Sequence, residues 1–123
     1  MRALRRHHIS FRHAFDGLRW ALHTQPNFRV HILCSLFVIW LGYYFNIKST
    51  EMTILIFAIV LGLSAEMINT AIESVTDLMT SKWRKEAKIA KDVSAGMMLL
   101  VAFGAIFVAI CIFSPYIRIY LHI

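Results

Sequence analysis

The residues best equipped for chemistry lie together in Ala65-Glu66-Met67-Ile68-Asn69-Thr70-Ala71-Ile72-Glu73-Ser74-Val75-Thr76-Asp77. From Glu66 through Asn69 and Glu73 to Asp77 the steps are three, four and four residues. At about 100° per residue, these steps gather all four side chains within an arc of roughly 80°. One helix face would carry three carboxylates and an amide. The apolar run holding them starts at Met52, so a rise of ~1.5 Å per residue puts Glu66 about 21 Å along it and Asp77 about 37 Å. Across a ~30 Å hydrocarbon layer, Glu66 and Asn69 fall in the inner half, Glu73 near its edge and Asp77 among the headgroups. A carboxylate at such depth costs about 2.5–3.5 kcal/mol on insertion scales and usually faces a bundle interior or a wet cavity. Two carboxylates at different depths can divide the work: the deeper takes a proton as general base, and the outer stays ionised and holds a metal. The plainer alternative is helix–helix hydrogen bonding with surface carboxylates at a helix end, and Asp77 taken alone fits it equally well.

A second polar group, Ala90-Lys91-Asp92-Val93-Ser94-Ala95-Gly96, opens the next apolar run, with Asp92 fifteen residues beyond Asp77. At the membrane face it would stand level with Glu73, Lys91 suited to a phosphate and Asp92 to an ion or a hydrogen-bond network. A solvated charge pair at a helix start is the alternative. Ser94, Ala95 and Gly96 are small enough for close helix approach. An acidic, amide-bearing face beneath a basic loop suits a magnesium-bound nucleotide at the interface and a lipid headgroup arriving from the side.

What must position these groups is a small membrane bundle. The chain has 123 residues, 59% of them apolar and 16% charged, against about 45–50% and 25% in soluble domains; its mean hydropathy is +0.63. Such a composition excludes disordered, collagenous and disulfide-framework chains and fits one domain over residues 1–123. Cys34 and Cys111 sit inside apolar runs, with no metal-knuckle or disulfide spacing, and act as small hydrophobes. Runs at about 30–45, 52–78 and 92–121 read as three transmembrane helices of an all-α protein. The first is short, with Arg29 and His31 at its start, and borrows length from flanking residues that snorkel. The His-His-Ile-Ser-Phe-Arg-His start has no signal-peptide pattern, so no cleaved leader is expected.

Orientation follows from the short loops. Arg2, Arg5, Arg6, Arg12, Arg19 and Arg29 precede the first span, Lys48 alone lies in the first loop, and Lys82, Arg84, Lys85, Lys88 and Lys91 fill the second. The positive-inside rule predicts the N-terminus and second loop in the cytoplasm, with residues 46–51 and the C-terminus outside. The net charge of +6 is confined to these flanks, so it predicts attraction to an anionic membrane surface and not nucleic-acid binding. Before the first span, Phe11, Phe15, Leu18 and Leu22 form one stripe and Arg12, Asp16, Arg19 and His23 another. That predicts an amphipathic surface helix over about 9–24, broken from the first span at Pro26.

Glu-Met-Ile-Asn-Thr-Ala-Ile-Glu-Ser-Val-Thr-Asp (66–77) resembles the signature E-x-x-N-[ST]-A-[IV]-E-x-x-x-D of the prokaryotic diacylglycerol kinase family, which includes undecaprenol kinases. Ala-Lys-Asp-Val-Ser-Ala-Gly (90–96) resembles its second motif, and residues 11–21 and 27–31 are similar to its surface helix and the entry to its first span. The resemblance implies a three-span homotrimer of the bacterial inner membrane that moves the γ-phosphate of ATP, with Mg²⁺, onto a lipid hydroxyl at the cytoplasmic face. Its sites would be shared between neighbouring subunits. Position by position, it implies Glu66 as the base, Asn69 as a polar contact beside it and Glu73 as a Mg²⁺ ligand. Lys91 and Asp92 would hold the phosphates and the adenosine end, and Arg6, His13 and Gly17 would help the surface helix close over the site. Asp77, Trp83 and Arg84 fall on the nucleotide side, and Arg12, Arg19, Phe28, Arg29 and Ala95 on the lipid side. Phosphoryl transfer needs mainly positioning and charge neutralisation, which this set can supply. No G-x-x-x-x-G-K-[ST] occurs, so this is not a P-loop kinase.

Two departures stand out. Where the family often has a second metal-binding glutamate before the first span, this chain has Gln25, which brings an acceptor but no charge to metal and nucleotide. Where many members carry E-x-H after the first motif, it reads Lys82-Trp83-Arg84, a phosphate-favouring pair around an aromatic that can stack or anchor. Asn-Phe-Arg-Val-His resembles the undecaprenol kinase branch more than the enterobacterial diacylglycerol kinases, which favours a polyprenol acceptor over diacylglycerol. Two other readings stay open: a non-enzymatic membrane oligomer conducting protons or cations through Glu66, and an inactive kinase relative. Against conduction, the stretch from Met52 to Ala65 carries no charged side chain.

Overall fold

A computed structural model describes residues 2–80 and 82–122, the side chains of residues 2–10 excepted. The described residues form four helices and no strand: α1 (Arg2–Thr24), α2 (Pro26–Tyr44), α3 (Ser49–Met79) and α4 (Lys85–Tyr120). The protein is all-α.

Each boundary has a local cause. Gln25 is extended, at φ −99° and ψ 107°, because a residue before proline avoids the helical region. Pro26 then opens α2 from the one position where its missing N–H costs nothing. Between α2 and α3, Asn46 adopts a left-handed φ of 49°, a conformation that asparagine tolerates better than most side chains. Lys48 caps α3, its N–H donating to Glu51 Oε2 at 2.9 Å. Only Thr80–Arg84 separates α3 from α4, so Lys85, Lys88 and Lys91 lie on the first turns of α4 and not in a loop. Lysine and glutamate are good helix formers, and Glu86 in that first turn suits the positive end of the helix dipole. The same logic extends α1 back to Arg2, well before its apolar stripe begins.

The most extensive packing joins α3 to α4; α2 lies against α3, and α1 touches α2. At the end holding the α2–α3 turn, Ile47, Leu55, Ile112 and Phe113 form a buried cluster, widened by Leu41, Phe45 and Met52. Gly42 lets α2 approach there: a Cβ in its place would come within 2.7 Å of Met52 Cε. The opposite end, where α1 and the α3–α4 connection lie, carries most of the basic residues; it is called the basic end below.

Large apolar side chains point outward along the whole bundle, among them Phe57, Leu100, Phe107 and Ile119. Continuous exposed apolar surface of this kind needs a lipid or protein cover. α3 and α4, of 31 and 36 residues, are long and apolar enough to cross a membrane, measuring about 46 and 54 Å at 1.5 Å per residue. α2, with 19 residues, carries Arg29 and His31 in its first turns.

Candidate active site

The polar face read from the sequence is a real feature of α3, and its burial is graded. Glu66 is 4% exposed and Asn69 8%, Glu73 is half-buried and Asp77 is exposed. Ala65 and the buried Ser94 of α4 are both small, which allows α4 to come close here. Asn69 Nδ2 donates to Glu73 Oε1 at 3.1 Å, one turn away. That bond fixes the direction of the amide and leaves Oδ1 buried with no hydrogen-bond partner among the described residues. Nearby hydroxyls cannot answer it, because Ser74 donates to the Thr70 carbonyl and Thr76 to those of Ile72 and Glu73. A buried acceptor without a donor is costly in a folded protein. It marks a place for a donor that arrives from outside.

Nearer the basic end, Lys91 Nζ pairs with Asp77 Oδ1, and Lys88 Nζ with Asp92 Oδ2. The first pair ties the end of α3 to the start of α4, and the Ser94 hydroxyl donates to the Lys91 carbonyl within α4. Both pairs are solvent-exposed and so are worth at most about 1 kcal/mol each; an incoming phosphate can compete for either lysine. Asp92 therefore faces Lys88 along its own helix and not Glu73.

Other residues singled out in the sequence lie on α1, at the start of α2, in the α3–α4 connection and on the first turns of α4. Arg12, His13, Gly17 and Arg19 are all exposed on α1, which packs on α2; the Arg6 side chain lies outside the described residues. Gln25 is half-buried at the start of α2 and makes no side-chain cap. Phe28 is buried and Arg29 exposed beside it; Ala95, Arg84 and the 77% exposed Trp83 also face outward. One residue went unvalued in the sequence. His31 of α2 lines the same cleft as Gly62 and Leu63 of α3, one turn from Glu66, whereas its position two residues after Arg29 suggested only snorkelling.

Among the described residues no three His, Cys, Asp or Glu side chains converge on a metal position. A Mg²⁺ carried in on nucleotide phosphates keeps phosphate oxygens and waters as ligands and needs only one or two protein carboxylates. Glu73 has Oε2 free among the described residues, and the orphan Asn69 oxygen can accept from a metal-bound water. The donor set fits a nucleotide-borne Mg²⁺, not a dedicated protein cage.

The sequence profile of prokaryotic diacylglycerol kinases matches residues 12–113, most of the chain and all of this polar face. The chain belongs to the prokaryotic diacylglycerol kinase family. It is 35% identical over 113 residues to the undecaprenol kinase of Bacillus subtilis, covering 91% of each chain. It is 37% identical over 108 residues to a diacylglycerol kinase of Synechocystis, covering 87% of this chain and 62% of that relative. The chain thus spans less than two thirds of the Synechocystis protein. A diacylglycerol kinase of Escherichia coli K12 is more distant, 26% identical over 94 residues. Both kinds of lipid kinase thus stand among the relatives of this family member.

Proposed function

We propose that this protein is a lipid kinase that transfers the γ-phosphate of ATP to the hydroxyl of a membrane lipid, either undecaprenol or diacylglycerol. The observation that carries this reading is the buried pair on α3: Glu66 shut away from water, and Asn69 with a buried oxygen lacking a donor beside Glu73. Glu66 lies at the depth a lipid hydroxyl can reach, and takes its proton as the oxygen attacks phosphorus. Asn69 holds Glu73 through Nδ2 and offers Oδ1 to a donor brought by the ligands. Glu73 would hold the Mg²⁺, which when bound offsets phosphate charge. Lys91 exchanges Asp77 for a phosphate oxygen, and Asp92, Trp83 and Arg84 sit where nucleotide approaches.

We read α2, α3 and α4 as three spans, with the basic end in the cytoplasm of a bacterial inner membrane and the C-terminus outside. We read the working unit as a homotrimer. Arg12, His13, Gly17 and Arg19 are exposed on α1, which packs on α2, and a neighbouring copy is the source that would bring such groups, together with Gln25, Phe28 and Arg29, to Glu66. α1 carries its apolar stripe on the membrane surface, where Arg12 and Arg19 meet anionic headgroups.

The test follows radiolabelled γ-phosphate from MgATP into undecaprenol and diacylglycerol, supplied separately at equal mole fraction to the purified protein in lipid-like detergent. Label in at least one lipid, abolished by Glu66→Gln, is expected. Absence of label from both with a folded wild type would sink the reading.

A further inference from the structure

The end of the bundle remote from Glu66 carries a cavity of about 440 Å³ between the end of α2 and the last turns of α4. Four of its five lining residues are aromatic: Tyr44, Phe45, Tyr116 and Tyr120, with Ile119 as the fifth. Residues 116 and 120 are one helical turn apart, so both rings leave the same side of α4. Phe45 is anchored on Phe113 of the buried cluster, ring centres 6.1 Å apart, while Tyr44 and Tyr120 stay more than half exposed.

Three of the rings stand steeply to one another. Phe45 meets Tyr44 at 84° and Tyr120 at 87°, with centres 5.2 and 6.2 Å apart, and Tyr44 meets Tyr120 at 63° and 6.4 Å. Rings at such angles form the corner of a box, and a point facing all three lies about 4 Å from each centre, inside the ~6 Å over which a ring face attracts a cation. The Tyr44 hydroxyl donates to that of Tyr120 at 3.4 Å and holds the two rings together at the rim. Negative charge adjoins the fourth ring: Tyr116 Oη donates to Glu51 Oε2, and Glu51 makes no ion pair among the described residues. The Lys48 N–H reaches the same Tyr116 oxygen at 3.4 Å, and the Lys48 ammonium is likewise without an ion-pair partner among the described residues. A cation-attracting corner next to a free ammonium matches a zwitterion. Arg118, two positions from both Tyr116 and Tyr120, falls on the opposite side of α4 at about 100° per residue.

The surroundings favour a lipid over a soluble cation. Phe37, Trp40 and Tyr44 stack along α2 with ring centres 5.9 and 5.6 Å apart, and all three are more than half exposed. This aromatic strip runs seven steps, about 10 Å, from the corner toward the middle of the span. An acyl chain gains contact along it, whereas a free ammonium ion has no use for it.

We propose that this corner binds the ammonium headgroup of a zwitterionic phospholipid in the outer leaflet, its phosphate toward Lys48 and one acyl chain along Phe37 and Trp40. The site lies apart from Glu66 and rests on the three-span reading, not on phosphate transfer. Ring faces and a carboxylate replace the water around the ammonium. α2 packs chiefly on α3, so a headgroup held by rings from both α2 and α4 bridges two helices and stabilises the turn end when it is bound.

The test uses the full chain in a neutral maltoside detergent without ATP. Phosphatidylethanolamine, phosphatidylcholine and phosphatidylglycerol with identical short tails are titrated in, lipids held per chain are counted by native mass spectrometry, and thermal unfolding is followed in parallel. Wild type should hold both ammonium lipids about tenfold more tightly than the glycerol lipid, the scale of several ring contacts and one carboxylate, and should unfold at a higher temperature with them. Tyr120→Leu should cut that preference to about threefold, and its combination with Tyr44→Leu should abolish it. Tyr120→Phe keeps the ring and should keep the preference. Free choline should compete with the ammonium lipids, and its uncharged tert-butyl isostere should not. Equal binding of the three lipids by wild type, a full preference in folded Tyr120→Leu, or equal competition by the isostere would overturn the proposal. So would free choline that binds as tightly as the tailed lipids, because the aromatic strip would then contribute nothing. If Tyr120→Leu fails to fold, Tyr120→Phe and the competitor pair still decide, and because no arm involves ATP the outcome is independent of the kinase reading.

Discussion

Among the described residues, buried polar side chains gather toward one end of the bundle and a purely apolar buried cluster at the other. At the turn end Ile47, Leu55, Ile112 and Phe113 close on one another, and the polar groups beside them are satisfied: Glu51 Oε2 accepts from Tyr116 and from the Lys48 N–H. Deeper toward the basic end Ala21, Phe28 and Ala65 are buried together with the polar Glu66, Asn69, Thr70 and Ser94, and one amide oxygen goes unanswered. Apolar packing and a satisfied latch have an evident structural reason. A buried carboxylate and an orphan acceptor lower stability unless a ligand completes them. The contrast assigns stability to one end and chemistry to the other, and substitutions can separate the two.

The largest effect should come from Glu66→Gln. It removes the proposed base without changing the volume, so phosphate transfer should fall about 10²–10⁴-fold, while nucleotide binding and unfolding temperature hold or the latter rises slightly. A variant that kept full turnover would break the assignment of chemistry to this end. The converse substitution is Phe113→Ala at the turn end. Losing a buried ring that packs on Phe45 with ring centres 6.1 Å apart should cost about 3 kcal/mol, read as a lower unfolding temperature in detergent, with kcat unchanged well below that temperature. A kcat that fell in step with Glu66→Gln would dissolve the distinction between the ends. Smaller again is Glu73→Gln. It keeps an acceptor for Asn69 but removes the charge facing the nucleotide, so KM for MgATP should rise about tenfold or more, the scale of one charge-assisted contact. Excess Mg²⁺ should recover part of the loss.

Much of this contrast could be read from residue order. The steps from Glu66 to Asp77 placed four polar groups on one helix face, and the burial gradient from Glu66 to Asp77 follows their depth along α3. The break at Gln25-Pro26 was equally legible, because proline acts locally through its ring and its missing N–H. Pairings set by tertiary geometry were not. Lys91 stood in the sequence as a phosphate ligand beside Asp92, yet it reaches across to Asp77 while Asp92 folds back on Lys88; the choice depends on how α4 lies against α3. His31 was hidden for the same reason: a histidine near Arg29 looks like an interface residue until α2 is laid along α3. The second loop shrank to Thr80–Arg84 because its lysines favour the helix that follows them.

The smallest expected effect tests whether the turn-end latch is electrostatic. The Tyr116 hydroxyl and then the Lys48 N–H, both donating to the Glu51 carboxylate, hold it below the ordinary glutamate range. A carboxyl with a lowered folded pKa stabilises the native state above its unfolded pKa, and that contribution disappears as pH falls through the folded value. At neutral pH the latch is fully present; acidification through and below the ordinary glutamate range should release it. Because Glu51 stands at the solvent-facing end of α3, the change is small. Tyr116→Phe removes the larger of the two donors, so its unfolding temperature should begin lower at pH 7 and fall less steeply toward acid than that of wild type. The remaining carboxylates titrate alike in both proteins and cancel in the difference. Parallel profiles would show that Tyr116 serves the turn end through its ring against the apolar cluster, and that packing alone distinguishes this end from the one that carries Glu66.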